Sequence, residues 1–213
     1  MTKILMVRHG QSEANNLDIF AGNYDIELTE LGHKQAQCTA KFIAENYKVD
    51  AVYASDLKRA FNTAKYIARE FGLAVVPEKN FREISAGEWE EVKFEDIIKF
   101  YGEDYRVWQT DIGNSRCTGG ESVKELAKRV CDTLKKVAEE NEGKTIVIGT
   151  HATPVRVAQC VFGGHTFDEM KNIPWSSNAS VTEIVCENGK FAVTKASIDG
   201  HLNDLKSQLP SNV

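Results

Sequence analysis

Lys3-Ile4-Leu5-Met6-Val7-Arg8-His9-Gly10 runs through four consecutive apolar residues and then breaks into an arginine, a histidine and a glycine. An unbroken apolar run of strand length marks a strand buried on both faces, and such burial requires helices on both sides of a sheet. Thr145-Ile146-Val147-Ile148-Gly149 repeats the form and is followed at once by Thr150-His151. Residues 50–54 and 73–76 predict two further short strands. Stretches of helical period separate these runs. Thr29 is placed to cap a helix carrying Ala36, Ala40, Ile43, Ala44 and Tyr47 on one stripe. Ser55 is placed to cap another, in which Leu57, Ala60, Ala64, Ile67 and Ala68 lie on one face until Gly72 ends it.

The second half of the chain continues the alternation. Ser122-Val123-Lys124-Glu125 is a capping box that heads a helix with Leu126, Ala127, Val130, Leu134 and Val137 on its inner face. Thr153-Pro154 puts a capping residue before a proline, which predicts a helix running to about Phe162. Residues 181–186 and 191–198 flank Asn188-Gly189, the preferred two-residue hairpin turn. Between the third strand and the capping box the pattern is irregular and aromatic, as suits a cap. The expected fold is therefore a three-layer α/β/α sandwich. It has a largely parallel mixed sheet, a C-terminal antiparallel hairpin and a helical cap at about 84–119. Residues 207–213 are polar and expected to fray.

The chain has 213 residues, 42% hydrophobic and 27% charged, which suits a single α/β domain over 1–213. Lys and Arg number 26 against 31 Asp and Glu, and the net charge of −5 argues against a nucleic-acid or acidic-membrane surface. Five scattered cysteines without a Cys-x-x-Cys pair read as reduced, mostly buried thiols. The apolar run at the N-terminus is too short for a signal peptide or a membrane span, so the expected location is cytoplasmic.

In open α/β sheets ligands bind beyond the carboxyl ends of the strands. That rule selects Arg8-His9-Gly10, Arg59 in the first turn after the second strand, and Thr150-His151. Two histidines and two arginines at one crevice suit an anionic tetrahedral group such as phosphate, because guanidinium forks bind its oxygens bidentately. A neutral imidazole there could attack phosphorus. Two rivals stand beside this reading. Histidines with carboxylates can ligate zinc, although two arginines would repel the cation, and the pocket could also bind phosphate without turnover.

Beyond these residues, a longer series of blocks occurs in order. Arg8-His9-Gly10-Gln11-Ser12-x-x-Asn15 leads to Ala21-Gly22, Asp25, and Leu28-Thr29-x-x-Gly32-x-x-Gln35-Ala36. Ser55-x-Leu57-x-Arg59-Ala60-x-x-Thr63-Ala64, Arg82-Glu83-Ile84 and Gly87-x-Trp89-Glu90 follow. Gly119-Gly120-Glu121-Ser122, Thr150-His151 and, weakly, His201-Leu202 complete the series. Together they resemble the histidine phosphatase superfamily, the phosphoglycerate mutase-like proteins, across nearly the whole chain.

The resemblance implies that His9 is the nucleophile that becomes phosphorylated. It also implies that Arg8, Arg59 and His151 hold the phosphate, with Asn15 and the backbone N–H of Ala152 added. By the same resemblance, Glu83 gives a proton to the leaving oxygen and then activates water, and Gln11, Ser12, Ala21 and Gly22 contact substrate. A phosphomonoesterase of the phosphatase branch is implied, acting on a small phosphorylated metabolite with no metal and no organic cofactor. The alternative is a 2,3-bisphosphoglycerate-dependent phosphoglycerate mutase. Mutases usually carry paired arginines in a longer insertion, whereas Arg106 and Arg116 stand alone here. Glu91 departs from the family by standing where glycine is common. Phe94, Phe100, Tyr101, Tyr105 and Trp108 read as cap packing rather than a substrate platform, and His33, His165 and His201 as structural residues.

Overall fold

Alternating side chains on the central strands carry two separate apolar layers. On β1 (Thr2–Arg8), Leu5 and Val7 face one side while Ile4 and Met6 face the other, and all four are fully buried. In chain order the other elements are α1 (Glu13–Asn16), α2 (Glu30–Asn46), β2 (Ala51–Ala54), α3 (Lys58–Glu70) and β3 (Val75–Pro77). They are followed by α4 (Phe94–Thr110), α5 (Val123–Glu140), β4 (Thr145–Thr150), α6 (Ala152–Phe162), β5 (Val181–Glu187) and β6 (Lys190–Ile198). Leu5 and Val7 pack in a cluster with Ala40 and Ile43 of α2 and Ala64 and Ile67 of α3. Ile4 and Met6 pack with Leu126 and Val130 of α5 and Val155 and Ala158 of α6. Helices thus cover both faces of the sheet, as an all-apolar central strand demands.

This computed structural model describes residues 1–207. The sheet has six strands in the order β3-β2-β4-β1-β5-β6. β1, β2, β3 and β4 run parallel, β5 is antiparallel to β1, and β6 is antiparallel to β5, so β5 alone opposes the other strands. The expected sandwich and C-terminal hairpin are both present. Asn188 and Gly189 take positive φ values of 51° and 74°, the left-handed pair that a tight hairpin turn requires. Among the described residues no helix is long and apolar enough to cross a membrane. Cys117, Cys131 and Cys160 are buried, Cys38 and Cys186 are half-buried, and all five are free thiols.

Two capping expectations hold and two give way. The Thr29 hydroxyl accepts from Gly32 N–H at 3.0 Å, and Ser122 and Glu125 form a reciprocal capping box. Ser55, however, does not cap α3. Leu57 occupies that position, and the free N–H of Lys58 donates instead to Asp25 Oδ1 at 2.8 Å. Likewise α6 begins one residue before Thr153, with His151 at the cap and Pro154 in the third helical position. The proline is tolerated there because first-turn N–H groups lack helical partners. The third strand also lies two residues later than its apolar run predicts.

The region expected to be irregular contains the 17-residue helix α4. Ile97, Tyr105 and Trp108 are buried on one side of it, but Gly102 interrupts the pattern and the backbone at Tyr101 is non-helical. Glu91, just before α4, has φ of +66°. That is the conformation glycine adopts most cheaply, so a non-glycine residue is strained here. Of residues 207–213, only Ser207 is described, and its hydroxyl donates to Asn178 Oδ1 at 2.8 Å. The expected fraying of the remainder lies outside the described residues.

Gly10 is packed against backbone. A Cβ there would collide with the carbonyl group of Gly32 at the start of α2, which leaves no flexible side chain to yield. Gly10→Ala is therefore expected to cost about 1–3 kcal/mol of stability, the usual range for overpacking. Urea unfolding measures it, and an unchanged midpoint would contradict the close approach.

Candidate active site

Parallel pairing sets Arg8 of β1 opposite Thr150 of β4, and His9 N–H donates to the Thr150 carbonyl at 2.9 Å. The next residues, His9 and His151, are consequently neighbours, with ring centroids 5.2 Å apart and planes at 65°. On the other side of β4, Ala54 lies opposite Gly149, and Ser55 N–H donates to the Gly149 carbonyl at 2.9 Å. Register alone therefore brings three strand ends to one place. The Ser55 hydroxyl accepts from Leu57 N–H and shares a 2.8 Å hydrogen bond with His151 Nε2.

His9 Nδ1 lies 2.6 Å from the Gly10 carbonyl oxygen. A carbonyl only accepts, so Nδ1 carries the proton and Nε2 keeps its lone pair. Burial, followed by the charges of Arg59 and Arg8, holds the His9 pKa well below its usual 6.5. Burial does the same to His151, helped by Arg59 and His9. Both rings are neutral near pH 7.

The two guanidinium groups are anchored by backbone carbonyls. Arg8 Nη1 donates to Ser176 O, while Arg59 donates from Nη1 to Tyr24 O and from Nη2 to Gly22 O, both at 2.8 Å. Burial lowers each arginine to about 10, opposed by Glu83, so both remain charged at neutral pH. Glu83 is 8% exposed. Its Oε1 accepts from Ile84 N–H at 2.9 Å and its Oε2 from Thr153 N–H at 3.3 Å. Arg129 holds the loop that carries it, donating to the carbonyls of Asn80, Arg82 and Glu83 while pairing with Glu121 at 2.8 Å.

A cavity of about 620 Å³, measured out to its open mouth, is lined by Arg8, His9, Asn15, Arg59, Glu83 and Ala152. Ser12, Ala21 and Gly22 reach it as well. Asn15 Oδ1 accepts from Ser12 N, Ser12 Oγ and Asn178 Nδ2, which leaves its NH₂ group as the donor. Two residues named from sequence do not line the cavity. Gln11 turns away, its N–H donating to Gln35 Oε1 and its own Oε1 accepting from the Thr29 hydroxyl. His151 lies wholly buried beside His9. Among the described residues no three His, Cys, Asp or Glu side chains are grouped to hold a metal ion.

Sequence reasoning missed the cavity's other wall. Phe94 and Trp108, read as cap packing, reach the cavity together with Ile19, Phe20 and Trp175. Segment 175–180, which supplies Trp175, Ser176 and Asn178, precedes an antiparallel strand. Val181 pairs with Val7, so the residues before β5 meet the carboxyl end of β1. Searching only after parallel strands overlooks such a segment. The Asn188-Gly189 hairpin was the available signal that one of the last two strands runs against the parallel set.

The family model for the histidine phosphatase superfamily (branch 1) matches residues 4–199. The chain belongs to this superfamily. It is 32% identical over 207 residues to phosphoserine phosphatase 1 of Hydrogenobacter thermophilus, covering 96% of each chain. It is 27% identical to a phosphoglycerate mutase of Schizosaccharomyces pombe, over 92% of this chain and 95% of that one. Among solved structures, a mutant phosphoserine phosphatase of Entamoeba histolytica in complex with phosphoserine superposes with a TM-score of 0.84. That match has 28% identity and covers 95% of this chain and all of the other.

The buried neutral histidines make stability depend on pH. Their folded pKa values lie below the unfolded value near 6.5, so below that pH the unfolded chain binds more protons and stability falls. The loss should approach about 1.4 kcal/mol per pH unit for each ring. Urea midpoints between pH 7.5 and 5 measure the slope, and it should shrink in the His9→Gln, His151→Gln double variant. An equal slope in that variant would contradict the assignment.

Proposed function

We propose that the protein is a metal-independent phosphomonoester hydrolase working through a phosphohistidine. The observation that carries this reading is the His9 ring: its Nδ1 proton is held on the Gly10 carbonyl at 2.6 Å, which leaves Nε2 as a neutral nucleophile at the cavity. Nε2 attacks phosphorus in line with the ester oxygen, forming the N–P bond as the P–O bond to the alcohol breaks. Glu83 acts as the general acid and gives a proton to the departing oxygen. Water then attacks the phosphohistidine, Glu83 takes back a proton, and the N–P bond breaks to release orthophosphate and restore His9.

Arg8 and Arg59 supply fixed positive charge for the phosphoryl oxygens, where charge accumulates in the transition state. Because carbonyls already hold them, little reorganisation is needed. The N-terminal amides of α6, including that of Ala152, extend the same shell, while His151 packs behind His9 with ring centroids 5.2 Å apart. The donor set itself favours this chemistry over a metal: two guanidinium ions beside two histidines repel a cation. For the mutase alternative, Arg106 pairs with Glu103 at 2.8 Å and Arg116 with Glu125 at 2.7 Å, and neither lines the cavity.

His9→Ala is expected to lower kcat/KM for orthophosphate release by about 10³ or more, and Glu83→Gln by about 10²–10⁴. Rapid acid quench with a radiolabelled ester should trap an acid-labile phosphoryl group on the wild type and none on His9→Ala, with activity intact in excess EDTA. A label that survives the substitution, or activity lost to EDTA and restored by metal, would overturn the mechanism. Transfer from 2,3-bisphosphoglycerate to 3-phosphoglycerate without orthophosphate release would select the mutase.

A further inference from the structure

The cavity has two chemically distinct parts. Its ionisable side chains are Arg8, His9, Arg59 and Glu83, all used by the phosphoryl group and the proton transfer. The rest is dominated by Ile19, Phe20, Phe94, Trp108 and Trp175. These rings are packed against one another. Phe20 stands 5.4 Å from Trp108 at 67° and 5.6 Å from Phe94 at 56°, and Trp108 lies 6.2 Å from Trp175 at 31°. The Arg156 guanidinium lies 4.2 Å from the centre of the Trp175 ring, and its Nη2 donates to the Met170 carbonyl. Trp175 is thereby pinned from behind. It directly precedes Ser176, whose carbonyl holds Arg8, so the aromatic wall and the phosphate shell share one stretch of backbone.

We propose that the alcohol of this enzyme's substrate is uncharged and apolar, aryl or arylalkyl in character, seated against Phe94, Trp108 and Trp175. The proposal rests on the phosphomonoesterase reading above. An aromatic group entering this wall gains buried area and edge or offset ring contacts. A carboxylate placed there would lose its water without gaining a counter-charge. Arginines elsewhere on the chain do not serve: Arg82 is engaged by Asp56 at 2.6 Å, and Arg156 lies behind Trp175 rather than at the cavity surface. Phosphoserine and 3-phosphoglycerate both carry that carboxylate, so on this proposal neither is the preferred substrate.

The test compares kcat/KM for orthophosphate release from four primary alkyl esters: 2-phenylethyl phosphate, phosphoserine, 3-phosphoglycerate and phosphocholine. None has an activated aryl leaving group, so the wall rather than the chemical step decides the order. The expected result is an advantage of at least about tenfold for 2-phenylethyl phosphate, the size one well-placed apolar group gives. Trp175→Ala should reduce that advantage about fivefold or more, and Phe94→Ala serves if the first variant does not fold. Phe94→Arg should raise 3-phosphoglycerate relative to 2-phenylethyl phosphate.

A wild-type preference for phosphoserine or 3-phosphoglycerate would overturn the proposal while leaving the hydrolase intact, and a preference for phosphocholine would reassign the rings to a cation. If no ester is hydrolysed, the phosphatase reading fails by itself. Calorimetric binding of the same four esters to His9→Ala then reads the wall without turnover, and tighter phosphoserine binding there also overturns the proposal.

Discussion

Two buried guanidinium ions set the requirements that the rest of the site meets. Arg8 and Arg59 lie next to one another and to two imidazoles, and a buried charge costs several kcal/mol unless its N–H groups find acceptors. The acceptors are carbonyls of two segments far apart in the chain: Ser176 for Arg8, and Gly22 and Tyr24 of one loop for Arg59. Each segment is thereby drawn to the carboxyl end of the sheet. Burial first, and this positive field second, hold the His9 and His151 pKa values well below 6.5, so the conditions that suit the pocket to an anion also leave both imidazoles neutral.

Strand register converts that local chemistry into a site. Arg8 pairs with Thr150 and Ala54 with Gly149, and no other register would set His9, His151 and Ser55 side by side. A slip of one residue on any of these buried strands would also send its apolar side chains to the wrong layer. The two apolar clusters therefore guard the geometry of the histidines. Glu83 depends on packing of another kind, because its loop has no strand to fix it and is held instead by Arg129 of α5.

The side of the cavity that meets the alcohol is built differently. Aromatic rings from the α1–α2 loop, from α4 and from the segment before β5 form it, and their contacts are mutual rather than directed at the sheet. Phosphate chemistry and alcohol selection are thus carried by separate groups of residues.

By itself the sequence determined the strands, most helices and which arginines and histidines gather at the strand ends. Unbroken apolar runs and capping boxes are local signals, and Arg8, His9, Arg59, Thr150 and His151 directly follow or flank those runs. It also determined that the last two strands run antiparallel to each other, through Asn188-Gly189. Only the tertiary structure decided that Ser55 contacts His151 instead of capping α3, that Gln11 turns away from the cavity, that Trp175 lines it, and that Ser176 and Asn178 hold Arg8 and Asn15. Those outcomes depend on which loop satisfies which buried donor across separations of up to about 170 residues. The aromatic wall lay beyond the sequence for a related reason: helical spacing shows which face of α4 is apolar, but not which rings on that face stop short of full burial and meet the ligand.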